Sequence, residues 1–146
     1  MLLHKSKSLT FFNPQILNNS GTTFFDMGIS AGFPSPADDF KEQRLSLDRE
    51  LIKNKEATFF ARVSGQSMIG AGLDDNDLLV IDRSLEPKHG KIAVCFLDGE
   101  FTVKRLKVEK SGIWLQPENP DYSPIKVTEE NHFVIWGIVT NVIKKV

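Results

Sequence analysis

Short runs of apolar residues, several with polar residues at alternate positions, dominate the chain from residue 58 to its end. The runs are rich in Val, Ile, Phe and Trp, and turn-forming residues separate them, a pattern typical of β-strands. We predict strands over residues 58–63, 78–81, 92–97, 101–108, 113–116 and 133–143. Asp98-Gly99 predicts a two-residue hairpin, because both positions accept a positive φ. The pattern therefore predicts a mainly β body in which twisted sheets form a partly closed barrel.

Residues 1–39 have a different character, with Asn-Pro, Ser-Gly and isolated Pro and Gly positions but no sustained periodicity. They nevertheless contain Phe11, Phe12, Phe24, Phe25 and Phe33. A segment of this length cannot bury so many rings alone, so we expect an extended N-terminal arm over 1–39. The arm should dock on a β-rich domain formed by residues 40–146, or on a second copy of the chain. Residues 48–54 (DRELIKN) predict a short helix with Leu47, Leu51 and Ile52 turned inward.

Composition and charge exclude several classes of protein. The 146-residue chain has a formal net charge of −1, which provides no electrostatic footprint for direct, sequence-specific DNA binding. Cys95 is the single cysteine, so no internal disulfide can form, and a reducing, cytoplasmic location is expected. Its position in the apolar run IAVCFL predicts a buried, inert thiol. No apolar stretch is long enough to cross a bilayer.

Ser67 and Lys104 are the candidate catalytic residues of the chain. Ser67 lies in VSGQSMIGAG, just before a predicted strand, where its hydroxyl can cap a turn or act as a nucleophile. Alternation along the strand over 101–108 places Lys104 on a face without other charges. Its ammonium can extend to the sheet edge, or desolvation can lower its pKa until it accepts a serine proton. The pattern alone leaves these alternatives open.

The remaining candidate ligands and bases form no recognisable site. His4 is in the arm, His89 is in the polar turn EPKHG, and His132 follows two glutamates. Their scatter, with one cysteine, argues against a histidine-based triad and against a structural zinc site. The acidic stretch DDND, residues 74–77, lacks the glycine and terminal glutamate of an EF-hand loop and predicts a turn. With no P-loop or GxGxxG fingerprint either, no metal or cofactor is expected.

Several ordered segments resemble the LexA/UmuD family of self-cleaving serine peptidases. They are SGQSM, GLDDNDLLVID, HGKIAVCFLDGEFTVKRL and LQPENPDYSPI. The upstream segment AGFPSPADDFKEQRLSLDRELI is especially similar to the UmuD-type branch, and the resemblance extends from about residue 31 to residue 146. By matching position, it implies that Ser67 is the nucleophile and that Lys104 is its general base. Backbone N–H groups around Ser67, those of Ser67 and Met68, would then stabilise the oxyanion.

The family cuts its own chain between a small residue and glycine, which here implies cleavage at Ala31-Gly32 in ISAGFPSP. UmuD-type proteins commonly have cysteine before this glycine, whereas alanine is the residue of the repressors; both are small. Small side chains suit a narrow cleft, and Pro34 and Pro36 should keep the downstream segment extended.

The resemblance also implies a cellular role in bacterial SOS mutagenesis. Proteins of this type self-cleave when a RecA filament on single-stranded DNA favours the reactive state, and the shortened homodimer joins UmuC in translesion DNA polymerase V. A LexA-type repressor is the nearest alternative, but residues 1–31 show no helical periodicity and no basic recognition helix. A signal peptidase would need a membrane anchor. A non-catalytic, dimeric interaction module is the alternative from a different class.

Overall fold

The computed structural model describes residues 2–5, 9–15, 22–25, 31–32 and 42–146. Contacts group the chain into two compact units. One comprises Met1–Pro14 together with Asn54–Val146, and the other comprises Gln15–Lys53. The predicted boundary between residues 39 and 40 stays a prediction.

Strands account for most of the described secondary structure. They are β1 Leu2–Lys5, β2 Leu9–Phe12, β3 Thr22–Phe25, β4 Glu42–Leu45, β5 Thr58–Val63, β6 Leu78–Asp82, β7 Ile92–Leu97, β8 Glu100–Glu109, β9 Gly112–Gln116, β10 Ile125–Lys126 and β11 Phe133–Ile143. The helix α1 spans Leu47–Leu51, and single 3₁₀ turns span Lys55–Ala57 and Ile69–Ala71.

The larger unit is built on an antiparallel sheet with the strand order β1-β2-β5-β6-β11-β7-β8-β9-β10. The long strand β11 joins its two halves, pairing with β6 through Ile138–Ile143 and with β7 through Phe133–Ile138. Register shifts interrupt both pairings, and such irregularities bend a strand. Gly137 lies at one of them, where a Cβ would be 2.6 Å from a methyl carbon of Ile81. The sheet is strongly curled and open, which confirms the predicted mainly β, partly closed barrel.

Two apolar clusters form the core. The larger comprises Leu9, Phe11, Ala61, Val63, Met68, Leu73, Leu79, Ile81, Val94 and Val103. The second comprises Ala93, Cys95, Leu106, Leu115 and Ile138. Successive residues of β7 and β8 alternate between the clusters, as the period of a strand requires.

The strand pattern after residue 58 was predicted closely. β5, β7 and β11 have the predicted bounds, β6 and β9 are one residue longer at one end, and β8 is one residue longer at each end. The two-residue strand β10 was not predicted. Asp98 and Gly99 have φ values of 48° and 89°, which confirms the hairpin between β7 and β8. Strands β1 to β4 were not predicted, because their four-residue runs carry too few positions for a period to be recognised.

The smaller unit contains the β3–β4 ribbon and α1. The helix begins one residue before the predicted start and ends at Leu51, because the backbone of Ile52 is already extended. The predicted inward orientation of Leu47 is wrong, since this residue is 65% exposed. A five-residue helix has only one full turn and cannot hold three apolar residues on one buried face. Within the described ranges, no helix is long and apolar enough to span a bilayer.

Candidate active site

Ser67 lies in the loop that connects β5 to β6, residues 64–77. The loop is anchored by Met68 and Leu73, which are each 3% exposed and belong to the larger core cluster. Between them, the N–H groups of Ala71 and Leu73 donate to the carbonyl oxygen of Met68. Gly72 closes this turn at a φ of 81°, a conformation that favours glycine. The half-buried Ser67 side chain is therefore held next to an anchored turn.

A second segment, residues 117–119, braces the same loop. The Glu118 N–H donates to the carbonyl oxygen of Ser67 at 2.8 Å, and the Asn119 side-chain amide donates to that of Gln66 at 2.8 Å. The Gly70 N–H donates to the carbonyl oxygen of Glu118 at 2.7 Å. A Cβ at Gly70 would lie 2.6 Å from that oxygen, so only glycine permits this approach. The brace fixes the backbone on both sides of the Ser67 hydroxyl.

Lys104 approaches Ser67 from β8. Its Nζ lies 2.9 Å from Ser67 Oγ, and the residue is only 7% exposed. The distance brings together two residues that are 37 positions apart in the sequence, with strands β6 and β7 between them. The structure thus places both predicted residues in one site.

Burial favours the neutral form of this amine. Desolvation lowers the pKa of Lys104 from its ordinary value, and the electrostatic effect of Cys95 works in the opposite direction. Burial raises the pKa of the Cys95 thiol to about 12, so at neutral pH the thiol is uncharged and does not balance an ammonium. Cys95 is fully buried, which confirms the predicted burial of the thiol. Within the described part of the chain, Lys104 has no carboxylate partner.

The hydrogen bonds of Lys104 fit a neutral amine as well as an ammonium. Nζ donates to Thr102 Oγ1 at 2.8 Å and to the Val103 carbonyl oxygen at 3.0 Å. A neutral amine has two N–H donors and one lone pair, so these two bonds leave the lone pair for the hydroxyl proton of Ser67. An ammonium would instead place a third donor against Ser67 Oγ. In its neutral form, the amine is placed to take a proton from the serine.

A cleft of about 190 Å³ opens beside the pair. Its walls are largely apolar and include Val63, Leu73, Val103 and Tyr122. Among the described residues, no acceptor pairs with the backbone N–H groups of Ser67 or Met68, which leaves both able to donate to an oxyanion.

The predicted scissile residues, Ala31 and Gly32, are exposed and lie in a bend of the smaller unit. Cleavage between them stays a prediction. Pro34 and Pro36 lie outside the described residues.

The other sequence candidates lie outside this cleft. His89 is exposed, and its Nδ1 accepts a hydrogen bond from the Val108 N–H at 2.9 Å. His132 is also exposed, and the side chain of His4 lies outside the described part. Residues 74–77 form the predicted turn, in which the Asp74 N–H donates to Asp77 Oδ2 at 2.8 Å. Within the described residues, no group of three or more His, Cys, Asp or Glu side chains could hold a metal ion.

Sequence reasoning missed two residues that shape the site. Thr102 lies two positions before Lys104, and the alternation that put both on one face was the available signal. Asn119 is part of the recognised segment LQPENPDYSPI, but its pattern gives no indication that an amide reaches back to the Ser67 loop.

Arg105 extends the brace, because its Nε lies 2.5 Å from Glu118 Oε1. This partly exposed ion pair connects the strand of Lys104 to the segment that holds Ser67.

The fold and the site together define a class: a curled β protein with a serine and a desolvated lysine in hydrogen-bonding distance. The family model described as Peptidase S24-like matches residues 24–140, and the chain belongs to this family. Among curated relatives, Protein MucA of Salmonella typhimurium is 44% identical over 119 residues, covering 81% of each chain. Protein SamA of Salmonella typhimurium is 47% identical over 115 residues, covering 79% of each chain. The LexA repressor of Acidithiobacillus ferrooxidans is 39% identical over 119 residues, which span 80% of this chain and 58% of the repressor.

Proposed function

We propose that this protein is a serine peptidase that cleaves its own chain between Ala31 and Gly32, with Ser67 as nucleophile and Lys104 as general base. One observation carries the proposal: the buried Nζ of Lys104 lies 2.9 Å from Ser67 Oγ, with its other hydrogen bonds occupied by acceptors. Membership of the Peptidase S24-like family supports the same chemistry.

The reaction begins when Ser67 Oγ attacks the carbonyl carbon of Ala31. The hydroxyl proton moves to the lone pair of Lys104 Nζ, and the backbone N–H groups of Ser67 and Met68 donate to the oxyanion. When the intermediate collapses, the C–N bond to Gly32 breaks and Lys104 returns the proton to the departing amine. This leaves Ala31 as an ester on Ser67.

Water then completes the reaction. Lys104 takes a proton from the attacking water, and the ester bond breaks as the proton passes to Ser67 Oγ. The products are a fragment that ends in the Ala31 carboxylate and a shortened chain that begins with Gly32. The amine returns to its neutral state, ready for another cycle if a second substrate segment can enter.

A protein that contains its own substrate needs a mechanism that limits self-cleavage. We propose that residues 1–39 act as an arm whose scissile segment enters the cleft in a minor population of molecules, and that a RecA filament on single-stranded DNA favours this population. The shortened chain would then act as a homodimer in bacterial SOS mutagenesis, joined to a UmuC-type DNA polymerase in the cytoplasm. The similarity to MucA, SamA and the LexA repressor supports a role in this group of proteins. Contact with DNA would be indirect, as the net charge of −1 suggests.

The test is incubation of the purified chain with activated RecA, followed by mass spectrometry of the products. We expect two fragments that meet at Ala31-Gly32, and no cutting by Ser67→Ala. An intact wild-type chain after long incubation, both with RecA and at alkaline pH, would favour the non-catalytic interaction module.

The quaternary proposal has its own measurement. Sedimentation of the shortened chain at micromolar concentration should give the mass of a homodimer, and a monomer mass would contradict it. Specific retention of an operator-like DNA duplex would instead favour the LexA-type repressor.

A further inference from the structure

Strand β2 closes one side of the body. It pairs with β5 at four positions, from Leu9 opposite Val63 to Phe12 opposite Phe60. The other side of β5 pairs with β6, so without β2 the strand β5 would present an unpaired edge. Residues before the proposed cleavage bond therefore complete the sheet of the domain that follows it.

Two side chains of β2 also belong to the core. Leu9 is fully buried and Phe11 is 2% exposed, whereas Thr10 and Phe12 are half-buried. This alternation fits a strand that presents every second side chain to the interior. The centroid of the Phe11 ring lies 4.8 Å from that of Phe101 and 4.8 Å from that of Trp136, in edge-to-face geometry.

The wall around Phe11 is held by other contacts as well. Ala61, directly opposite Phe11 in the ladder, has only a methyl group and leaves room for the ring. Trp136 also packs edge-to-face against Phe59, and the guanidinium of Arg83 lies 4.5 Å from the centre of its ring. Arg83 Nε donates to the Trp136 carbonyl oxygen at 2.9 Å. Ala61, Phe101 and Trp136 thus form a socket for Phe11. Contacts that do not involve β2 hold this socket in place.

We propose that the edge of β5 and the socket for Leu9 and Phe11 form a binding groove for an extended peptide. Its occupant after cleavage is the N-terminal product of this same chain. This inference rests on the proposed cleavage at Ala31-Gly32. Cutting there breaks one covalent bond but none of the contacts of β2, so residues 1–31 stay bound until they are displaced. The groove selects an apolar residue and an aromatic residue two positions apart, in addition to main-chain pairing.

Release of the product would also affect the cleft. Val63 is the ladder partner of Leu9 and lines the cleft beside Ser67. Loss of β2 therefore removes the support behind one wall of the candidate active site. The shortened chain with its product bound and the same chain without it are expected to differ in their ability to cut a second molecule.

The experiment uses the full chain carrying Ser67→Ala and a recognition sequence for an unrelated protease inserted between Ala31 and Gly32. After complete cutting, gel filtration and native mass spectrometry should show the N-terminal fragment still bound to the body. Separation of the two pieces at micromolar concentration would overturn the proposal. Because the added protease makes the cut, a wild-type chain that fails to cleave itself would refute the proposed function and leave this result unaffected.

A competition arm avoids variants that fail to fold. The fragment is exchanged for labelled synthetic peptides of residues 1–31, so the body is unchanged throughout. Replacing Phe11 by Ala in the peptide should weaken binding by at least about tenfold, because it empties the socket. The matched control, Phe12→Ala, removes the same ring from the neighbouring, less buried position and should weaken binding by no more than about threefold. Equal losses of affinity for the two peptides would contradict the proposal that the groove has a socket for Phe11.

Discussion

Two lysines hold the two ends of the Ser67 loop, and their surroundings give them opposite properties. Lys104 is buried near the start of the loop, beside Ser67, Thr102 and a main-chain carbonyl. Lys144 lies near the end of the loop, where its Nζ donates to Asp74 at 2.8 Å and to Asp77. Burial lowers the pKa of Lys104, whereas the hydrogen bonds that Lys144 donates to Asp74 and Asp77 raise the pKa of Lys144.

The comparison shows that the partners of an amine decide its role. Lys144 has carboxylates beside it and stays charged, so it can clamp a turn but cannot accept a proton. Lys104 has only neutral acceptors beside it, so it loses its proton at a lower pH than an ordinary lysine and its lone pair becomes available for chemistry. One loop is thus contacted by a cationic clamp at one end and by a candidate base near the other.

The largest expected effect is the loss of cleavage when the candidate base is removed. Lys104→Ala and Ser67→Ala should each lower the rate of self-cleavage by at least about a thousandfold, because proton transfer and the nucleophile are lost. Lys144→Ala is the matched control and should retain most of the rate. Gel analysis of a time course measures all three. Near-neutral cutting by Lys104→Ala at the wild-type rate would exclude this lysine as the base.

The pH dependence separates the two lysines further. Self-cleavage should accelerate as pH rises through the lowered pKa of Lys104, because only the neutral amine accepts the serine proton. The midpoint should fall below 10.5, the ordinary value for lysine, in both the wild type and Lys144→Gln. Rates at a series of pH values, with the fold checked by circular dichroism, give the midpoint. A flat profile would contradict the assignment.

Removing one hydrogen-bond donor of the brace should lower the rate of self-cleavage less than removing the candidate base. In Asn119→Asp, the side chain still accepts from the Asp121 N–H but no longer donates to the Gln66 carbonyl. The Ser67 turn should lose its orientation, and the rate should fall by about tenfold. The midpoint of the pH profile should stay below 10.5, because Lys104 stays buried. Gln116→Glu makes the same chemical change in a side chain that bonds to the Pro117 carbonyl, and it should have little effect.

Loss of the contact between Lys144 and Asp77 should lower the stability of the protein rather than its cleavage activity. Asp77 is 6% exposed, and burial raises its pKa, but the hydrogen bonds from Lys144 and from the Asp74 N–H outweigh burial and lower it overall. Asp77→Asn should therefore lower the free energy of unfolding at neutral pH by about 1–2 kcal/mol. Because the folded-state pKa is depressed, the carboxylate contributes its stability above its unfolded value of about 3.9 and loses it at lower pH. Urea titrations at pH 7 and pH 3 should show the difference between the proteins shrinking with acid.

Lys104→Met should change the free energy of unfolding in the opposite direction from Asp77→Asn, and by a smaller amount. A lysine whose folded pKa is lowered destabilises the protein most where both folded and unfolded forms are charged, and the cost disappears above the unfolded value of about 10.4. The substitution should therefore raise the free energy of unfolding by about 1 kcal/mol at neutral pH. The gain should diminish as pH rises towards 10. A substitution that destabilises the protein at neutral pH, with a loss that shrinks as pH rises above about 10.4, would show that Lys104 is a structural cation.

Strands from residue 58 onward could be predicted because each is long enough to show alternation and is bounded by turn residues. The pairing of Ser67 with Lys104 could not be predicted from the pattern, since curling of the sheet and the loop from β5 to β6 bring them together. It followed instead from the resemblance of ordered motifs. Phe11 was expected to dock on the body or on a second copy, but the ladder of β2 on β5 and its place in the core had no periodic signal. Asn119 was missed because its contact is between a side chain and distant backbone.

The most direct test is a titration of the side-chain carbons of Lys104 and Lys144 by NMR, in the Ser67→Ala protein so that the chain stays intact. The buried amine should titrate below 10.5 and the clamped amine above it, as their surroundings require. If Lys104 instead titrates at or above the ordinary value, it is an ammonium at neutral pH and cannot receive the proton of Ser67.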